Sequence, residues 1–182
     1  MLADIGRARD ILRELAQLSN ADERRPVDLL ELWRKVAAPL SGSRVRVEVD
    51  SSGAVPAALA NLGQTERILS SVVAAEVASN QRAGSDVVVR VGAEVEGERV
   101  VLTVRSSAPP YSLEARKRIL NPFFLRNPEA LGEGMGFAVC SRIAQTQGGS
   151  FALDGRDGTR EYRLELPKVA GAVASTSGGA AR

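Results

Sequence analysis

The chain has 182 residues, 44% of them hydrophobic, 25% charged and 4% aromatic, with 24 Lys and Arg against 22 Asp and Glu. That length suits one domain with a helical extension, and no apolar run approaches the ~20 residues that cross a bilayer. A single cysteine, Cys140, excludes an internal disulfide and a cysteine-cluster metal site, and the lack of histidine excludes His-based triads, His-ligated zinc and a phosphohistidine on this chain.

The opening MLADIGRARD has no signal-like apolar stretch, so a cytoplasmic location is expected. The excess positive charge lies at Lys168 and Arg182, beyond Pro167, and is no argument for a nucleic-acid partner. Residues 3–18 read as an amphipathic helix, because Ile5, Ala8, Leu12 and Leu15 recur at intervals of three and four, with Ile11 and Leu18 widening the stripe. Pro26 disfavours helical geometry at Arg25 and ends that segment. A second helix is predicted at 28–38, where Leu29, Leu30, Trp33, Val36 and Ala37 share a face and Asp28 sits near the cap.

Arg44–Asp50 alternates strictly, with Val45, Val47 and Val49 on one side, as a half-buried strand does. After a Ser/Gly turn and the short AVPAAL segment, residues 64–79 predict a long helix with Ile68, Leu69, Val72, Val73 and Val77 inward. Asp86–Val95 and Arg99–Arg105 are Val-rich strands joined through Glu96-Gly97-Glu98. SSAPPYS breaks the pattern, Leu113–Leu120 makes a short helix, and 121–133 reads as a loop. A helix at 135–146 ends at Gly148-Gly149, and strands Phe151–Asp154 and Glu161–Leu166 follow, linked by a Gly/Asp turn. Residues 169–182 are small and aperiodic, and disorder is expected there. The order predicts an α+β two-layer sandwich: a mixed, mostly antiparallel sheet with helices on one face.

One motif carries chemistry. Gly132-Glu133-Gly134-Met135-Gly136 follows a loop and opens a helix, where glycines allow close backbone approach and free helix N–H groups favour an anion such as phosphate. The run RILNPFFLRNPEALGEGMGFAVCSRIAQTQGGSFALDGRDGTREYRLELP from Arg118 resembles the C-terminal half of a histidine-kinase catalytic domain. That family shares an α/β sandwich nucleotide-binding fold with the gyrase and MutL ATPases. The resemblance extends back through PVDLLELW, RVRVEVD and ERILSSVV, covering residues 27–167. The N-terminal helix is similar to the end of the second dimerisation helix of such kinases, which implies a helical segment at 1–25, an ATPase domain at 26–168 and a tail at 169–182.

The resemblance implies ATP or ADP as ligand, with magnesium, and phosphates against Gly132, Gly134, Met135 and Gly136. It further implies a phosphoacceptor histidine domain and a response regulator as partners, and a homodimer through the N-terminal helix. Departures from the family pattern are specific. Ser71 and Ala75 stand where two metal- and phosphate-binding asparagines are expected, and Ser106, in Ser106-Ser107-Ala108-Pro109-Pro110, where an Asp reads adenine. Neighbouring Glu76 reads either as a magnesium ligand or as a partly exposed helix carboxylate. Asn80, Gln81 and Arg82 read either as substitute polar groups or as a solvated helix end. Phe123 and Phe124 match an aromatic pair beside the lid, Arg126 is a candidate phosphate contact, Lys117 and Arg118 read as solvated, and Cys140 reads as a buried small hydrophobe.

Three functions remain open at this point: a divergent ATP-binding catalytic domain of a bacterial sensor histidine kinase, a pseudokinase-like interaction module, and a stand-alone serine kinase of the anti-sigma-factor type.

Overall fold

Alternation of valines with charged residues builds the centre of the molecule. In the computed structural model, which describes residues 23–42, 45–50, 55–83, 86–119, 131–155 and 158–170, this pattern becomes a five-stranded sheet. Its strands are β2 (Val45–Asp50), β4 (Val87–Glu96), β5 (Arg99–Ser106), β6 (Ser150–Asp154) and β7 (Arg160–Pro167), in the order β2-β4-β5-β7-β6. Only β2 and β4 run parallel; β4–β5, β5–β7 and β6–β7 are antiparallel. The predicted α+β sandwich with a mostly antiparallel sheet is the fold observed.

Period-two side-chain placement gives the sheet two unlike faces. Val87, Val89, Val91, Val100, Leu102, Val104, Tyr162, Leu164 and Leu166 point into the core. On the other face, Arg90 pairs with Glu48 at 2.9 Å, Arg105 with Glu161 at 2.7 Å, and Arg163 with Glu96 at 2.6 Å. Such exposed pairs add little stability, but they cover the sheet without an apolar patch.

The helices cover the core face. They are α1 (Leu29–Val36), α2 (Leu62–Ala83), α3 (Leu113–Ile119) and α4 (Leu131–Thr146), with a short 3-10 turn at Ala38–Gly42. Asp28 caps α1, its Oδ1 accepting from the Leu30 and Glu31 N–H groups at 2.9 Å, as its sequence position predicts. Trp33 is fully buried beneath α1, and α2 packs on both α1 and α4.

Three boundaries differ from the sequence expectation. Arg25–Val27, where no element was expected once Pro26 had ended the first helix, is a strand (β1) paired antiparallel with β3 (Ala58–Ala60). Pairing with a distant partner settles a stretch too short for periodicity to register. Helix α4 begins at Leu131 rather than near 135, so Gly132 and Gly134 lie inside it together with Gly136. Val169, placed in the tail, donates its N–H to the Ala57 carbonyl, one residue after the Ala58–Lys168 bridge. The helix expected at 3–18 and the tail from 171 lie outside the described residues.

The carboxyl end of α4 is closed from several sides. Gly148 takes φ +78°, and Gly149 N–H returns to the Ala144 carbonyl, the glycine-terminated helix end. Arg24 donates to the Thr146 and Gln147 carbonyls, and the fully buried Gln147 accepts from the Asn61 N–H at 2.7 Å. A Cβ on Gly149 would collide with the Glu165 carbonyl. Gly149→Ala is therefore expected to cost about 1–3 kcal/mol through backbone displacement, read as a lowered Tm; an unchanged Tm would contradict this close approach of α4's end to β7.

Candidate functional site

The site expected from sequence draws on the middle of α2, the end of β5 and the start of α4. On α2, the apolar stripe turns Ile68, Leu69, Val72 and Val73 into the core and carries Ala75 with it, 4% exposed. Ala75 thus presents a methyl group where an amide ligand was expected. Ser71 is half-buried; its hydroxyl donates to the Arg67 carbonyl at 3.0 Å and lies against the Cys140 thiol of α4.

Cys140 is buried, as expected. Burial pushes its pKa up from 9.0 to about 11, only partly offset by the Ser71 hydroxyl and Arg67. The thiol stays protonated at neutral pH, and the thiolate is the reactive form. Native protein at pH 8 is expected to react with a thiol reagent more than tenfold slower than the urea-unfolded chain; comparable rates would contradict the burial. Because the folded pKa is raised, this group's stabilising contribution is complete below pH 9 and disappears as pH rises through about 11.

Glu76 departs most from expectation. It is neither a partly exposed helix carboxylate nor free to reach a metal: it is 0% exposed and saturated with protein donors. Its Oε1 accepts from the Tyr162 hydroxyl at 2.7 Å and from Arg160 Nη1 at 3.1 Å, and its Oε2 accepts from the Ser106 hydroxyl at 2.5 Å. Ser106 itself is 1% exposed and accepts from the Ala108 N–H.

The rest of the Arg160 guanidinium is equally engaged. Nε and Nη2 donate to the Pro109 carbonyl at 3.2 and 3.0 Å, Nη2 also reaches the Ser79 hydroxyl, and Cζ stands 4.1 Å over the Tyr111 ring. Burial, with the neighbouring Glu76 next in effect, holds the Tyr162 phenol far above its ordinary pKa. Beneath the cluster, Phe137 packs against Phe151, Tyr162 and Tyr111 with ring centroids 5.6–6.5 Å apart.

The remaining residues divide between those described and those not. Gly132, Gly134, Met135 and Gly136 belong to the first turns of α4. A helix leaves the N–H groups of its cap and first three residues without helical acceptors, so the available amides within α4 are those of 131–133, while those of Gly134, Met135 and Gly136 are spent within the helix. Asn80 is buried rather than part of a solvated end, since α2 continues to Ala83; Lys117 is exposed, as expected. Phe123, Phe124 and Arg126 lie outside the described residues. The structure therefore joins Ser106 to Glu76 and Ser71 to the Cys140 face of α4. Sequence reasoning missed Arg160 and Tyr162 altogether.

Residues 63–170, more than half of the chain, match the family described as histidine kinase-, DNA gyrase B-, and HSP90-like ATPase. The chain belongs to this family. This histidine kinase-like ATPase domain is 32% identical over 81 residues to the sensor histidine kinase GtrS of Pseudomonas aeruginosa. It is 34% identical over 77 residues to the C4-dicarboxylate transport sensor protein DctB of the same organism. These matches cover 44% and 41% of the chain but only 17% and 13% of the relatives' lengths.

Among solved structures, the catalytic domain of the histidine kinase ThkA superposes with a TM-score of 0.67 at 21% identity, covering 80% of this chain and 96% of that one. Full-length ShkA in complex with AMPPNP gives a TM-score of 0.66 at 27% identity, covering 85% of this chain and 34% of that one. No helix among the described residues is long and apolar enough to cross a membrane.

Magnesium, which the resemblance implies, does not fit the residues that this ATPase domain places on α2. Ala75 has no donor atom, the Ser71 hydroxyl is bonded within its own helix, and each Glu76 oxygen already accepts from protein groups. No group of three His, Cys, Asp or Glu able to hold a metal occurs among the described residues.

Proposed function

We propose that this chain supplies the nucleotide-binding domain of a bacterial two-component sensor histidine kinase. In this reading ATP or ADP lies with its phosphates at the start of α4 and its base end toward Ser106, and the γ-phosphoryl passes to a histidine outside this chain, with a response regulator downstream. The chain's division into a helical segment at 1–25, an ATPase domain at 26–168 and a tail belongs to the same reading.

One observation carries it: three glycines occupy the first two turns of α4. Each costs a helix about 1 kcal/mol relative to alanine, and with no Cβ each leaves the backbone open to close approach by a ligand at the amides of 131–133. Those amides and the helix dipole favour an anion. Phosphoryl transfer depends mainly on positioning and charge stabilisation, which backbone donors can supply in part.

A second reading, an interaction module without phosphoryl transfer, is favoured by Ala75, a buried methyl at the expected ligand position. Calorimetric titration with ADP tests the first reading. Saturable heat at millimolar ADP is expected, changed less than threefold by magnesium, and lost in Gly132→Pro, which removes one amide of the set at a first-turn position that tolerates proline while the sheet stays folded by circular dichroism. No heat at millimolar ADP would remove nucleotide binding and leave the interaction module.

A further inference from the structure

The buried cluster at Glu76 stands where a base-reading group is expected, and it consists wholly of the chain's own side chains. Ser106 donates its hydroxyl to Glu76 Oε2, accepts from the Ala108 N–H and is 1% exposed, so it offers no acceptor to a base amine. Glu76 is in turn covered by the Arg160 guanidinium and the Tyr162 phenol, 6% and 1% exposed. The same guanidinium bonds twice to the Pro109 carbonyl, tying the turn after β5 to β7. Proline at 109 and 110 fixes φ in that turn, so it cannot swing aside readily. Helix, turn and strand are thus fastened together around the Ser106 position.

A planar base entering here would have to displace a guanidinium that holds a carboxylate, a backbone carbonyl and an aromatic face at once. Any base that did so would leave Glu76 buried without its counter-charge, which is the costly state for a buried ion pair. We infer that Glu76, Arg160 and Tyr162 fill the base end of the site, so that this domain recognises a polyphosphate without reading the base attached to it. The inference rests on the reading above, which places the base toward Ser106 and the phosphates at α4.

Titrations of the intact chain with ADP, GDP, tripolyphosphate and adenosine test it. Dissociation constants for ADP, GDP and tripolyphosphate within about fivefold of one another (about 1 kcal/mol), with no saturable heat from adenosine at about fivefold the concentration that ADP requires, are expected. ADP binding more than fivefold tighter than tripolyphosphate, or saturable adenosine binding, overturns the inference while leaving nucleotide binding intact. No heat from any of the four removes the phosphate grip and overturns the inference together with the nucleotide-binding reading. The double variant Glu76→Ala/Arg160→Ala empties the cluster without stranding either charge. If folded by circular dichroism it is expected to gain saturable adenosine binding, and a folded double variant that still ignores adenosine overturns the placement; if it does not fold, the wild-type titrations decide.

Discussion

Glu76→Ala is expected to destabilise the domain by about 3–5 kcal/mol, the cost of breaking a buried ion pair from one side. The substitution leaves the buried Arg160 guanidinium without its carboxylate, and strips the Ser106 and Tyr162 hydroxyls of their acceptor. Domains are stable by only about 5–15 kcal/mol in total, so the variant should populate the unfolded state at moderate urea. Glu76→Ala/Arg160→Ala is expected to lose less than the sum of its two single variants, because no charge is stranded. Urea midpoints of the wild type, the two single variants and the double variant form the cycle that reads this. A loss below about 1 kcal/mol for Glu76→Ala is what an exposed helix carboxylate would give, and would contradict the buried bonding described above.

Phe137→Ala is expected to cost about 3–5 kcal/mol, the range for removing a buried aromatic ring. Phe137 is 1% exposed and follows the last glycine of α4 directly. Its ring is the hub of the cluster of Tyr111, Phe151 and Tyr162. Because the glycine-rich turns before it have little helix propensity of their own, this anchor holds the start of α4 against the sheet. Loss of the ring should lower the urea midpoint and weaken any ADP binding together. A variant that keeps its midpoint but loses binding would instead assign Phe137 to the ligand.

The two effects meet at one place. Phe137 supports the end of the site where backbone amides are available, and Glu76 with Arg160 closes the end where a base was expected.

Much of this was legible in the amino-acid sequence. The valine alternation of β2, β4 and β5 showed which face is buried, and Asp28 marked the start of α1. The run from Asn121 through Gly132–Gly136 to the Gly148-Gly149 pair pointed to the family before any coordinates. Two signals at Glu76 and Arg160 were present but unread. Glu76 lies four residues after Val72 and three after Val73, in phase with the apolar stripe of α2, and Arg160 is in phase with Tyr162, Leu164 and Leu166 on β7. Opposite charges, each at a core-facing position, are the pattern a buried pair leaves, since a charge is seldom buried unless paired.

The sequence by itself determined the order of the four helices and the five strands of the main sheet, their apolar faces and the family resemblance, because periodicity, capping and glycine placement act within a few residues along the chain. Only the tertiary structure decided that Glu76 binds Arg160, 84 residues away, and Tyr162 and Ser106 beside it. Nothing local to α2 specifies which strand residue will face it across the core. That choice follows from the register of β5 with β7 and the seating of α2 on the sheet, where burial makes an unpaired charge too costly to leave.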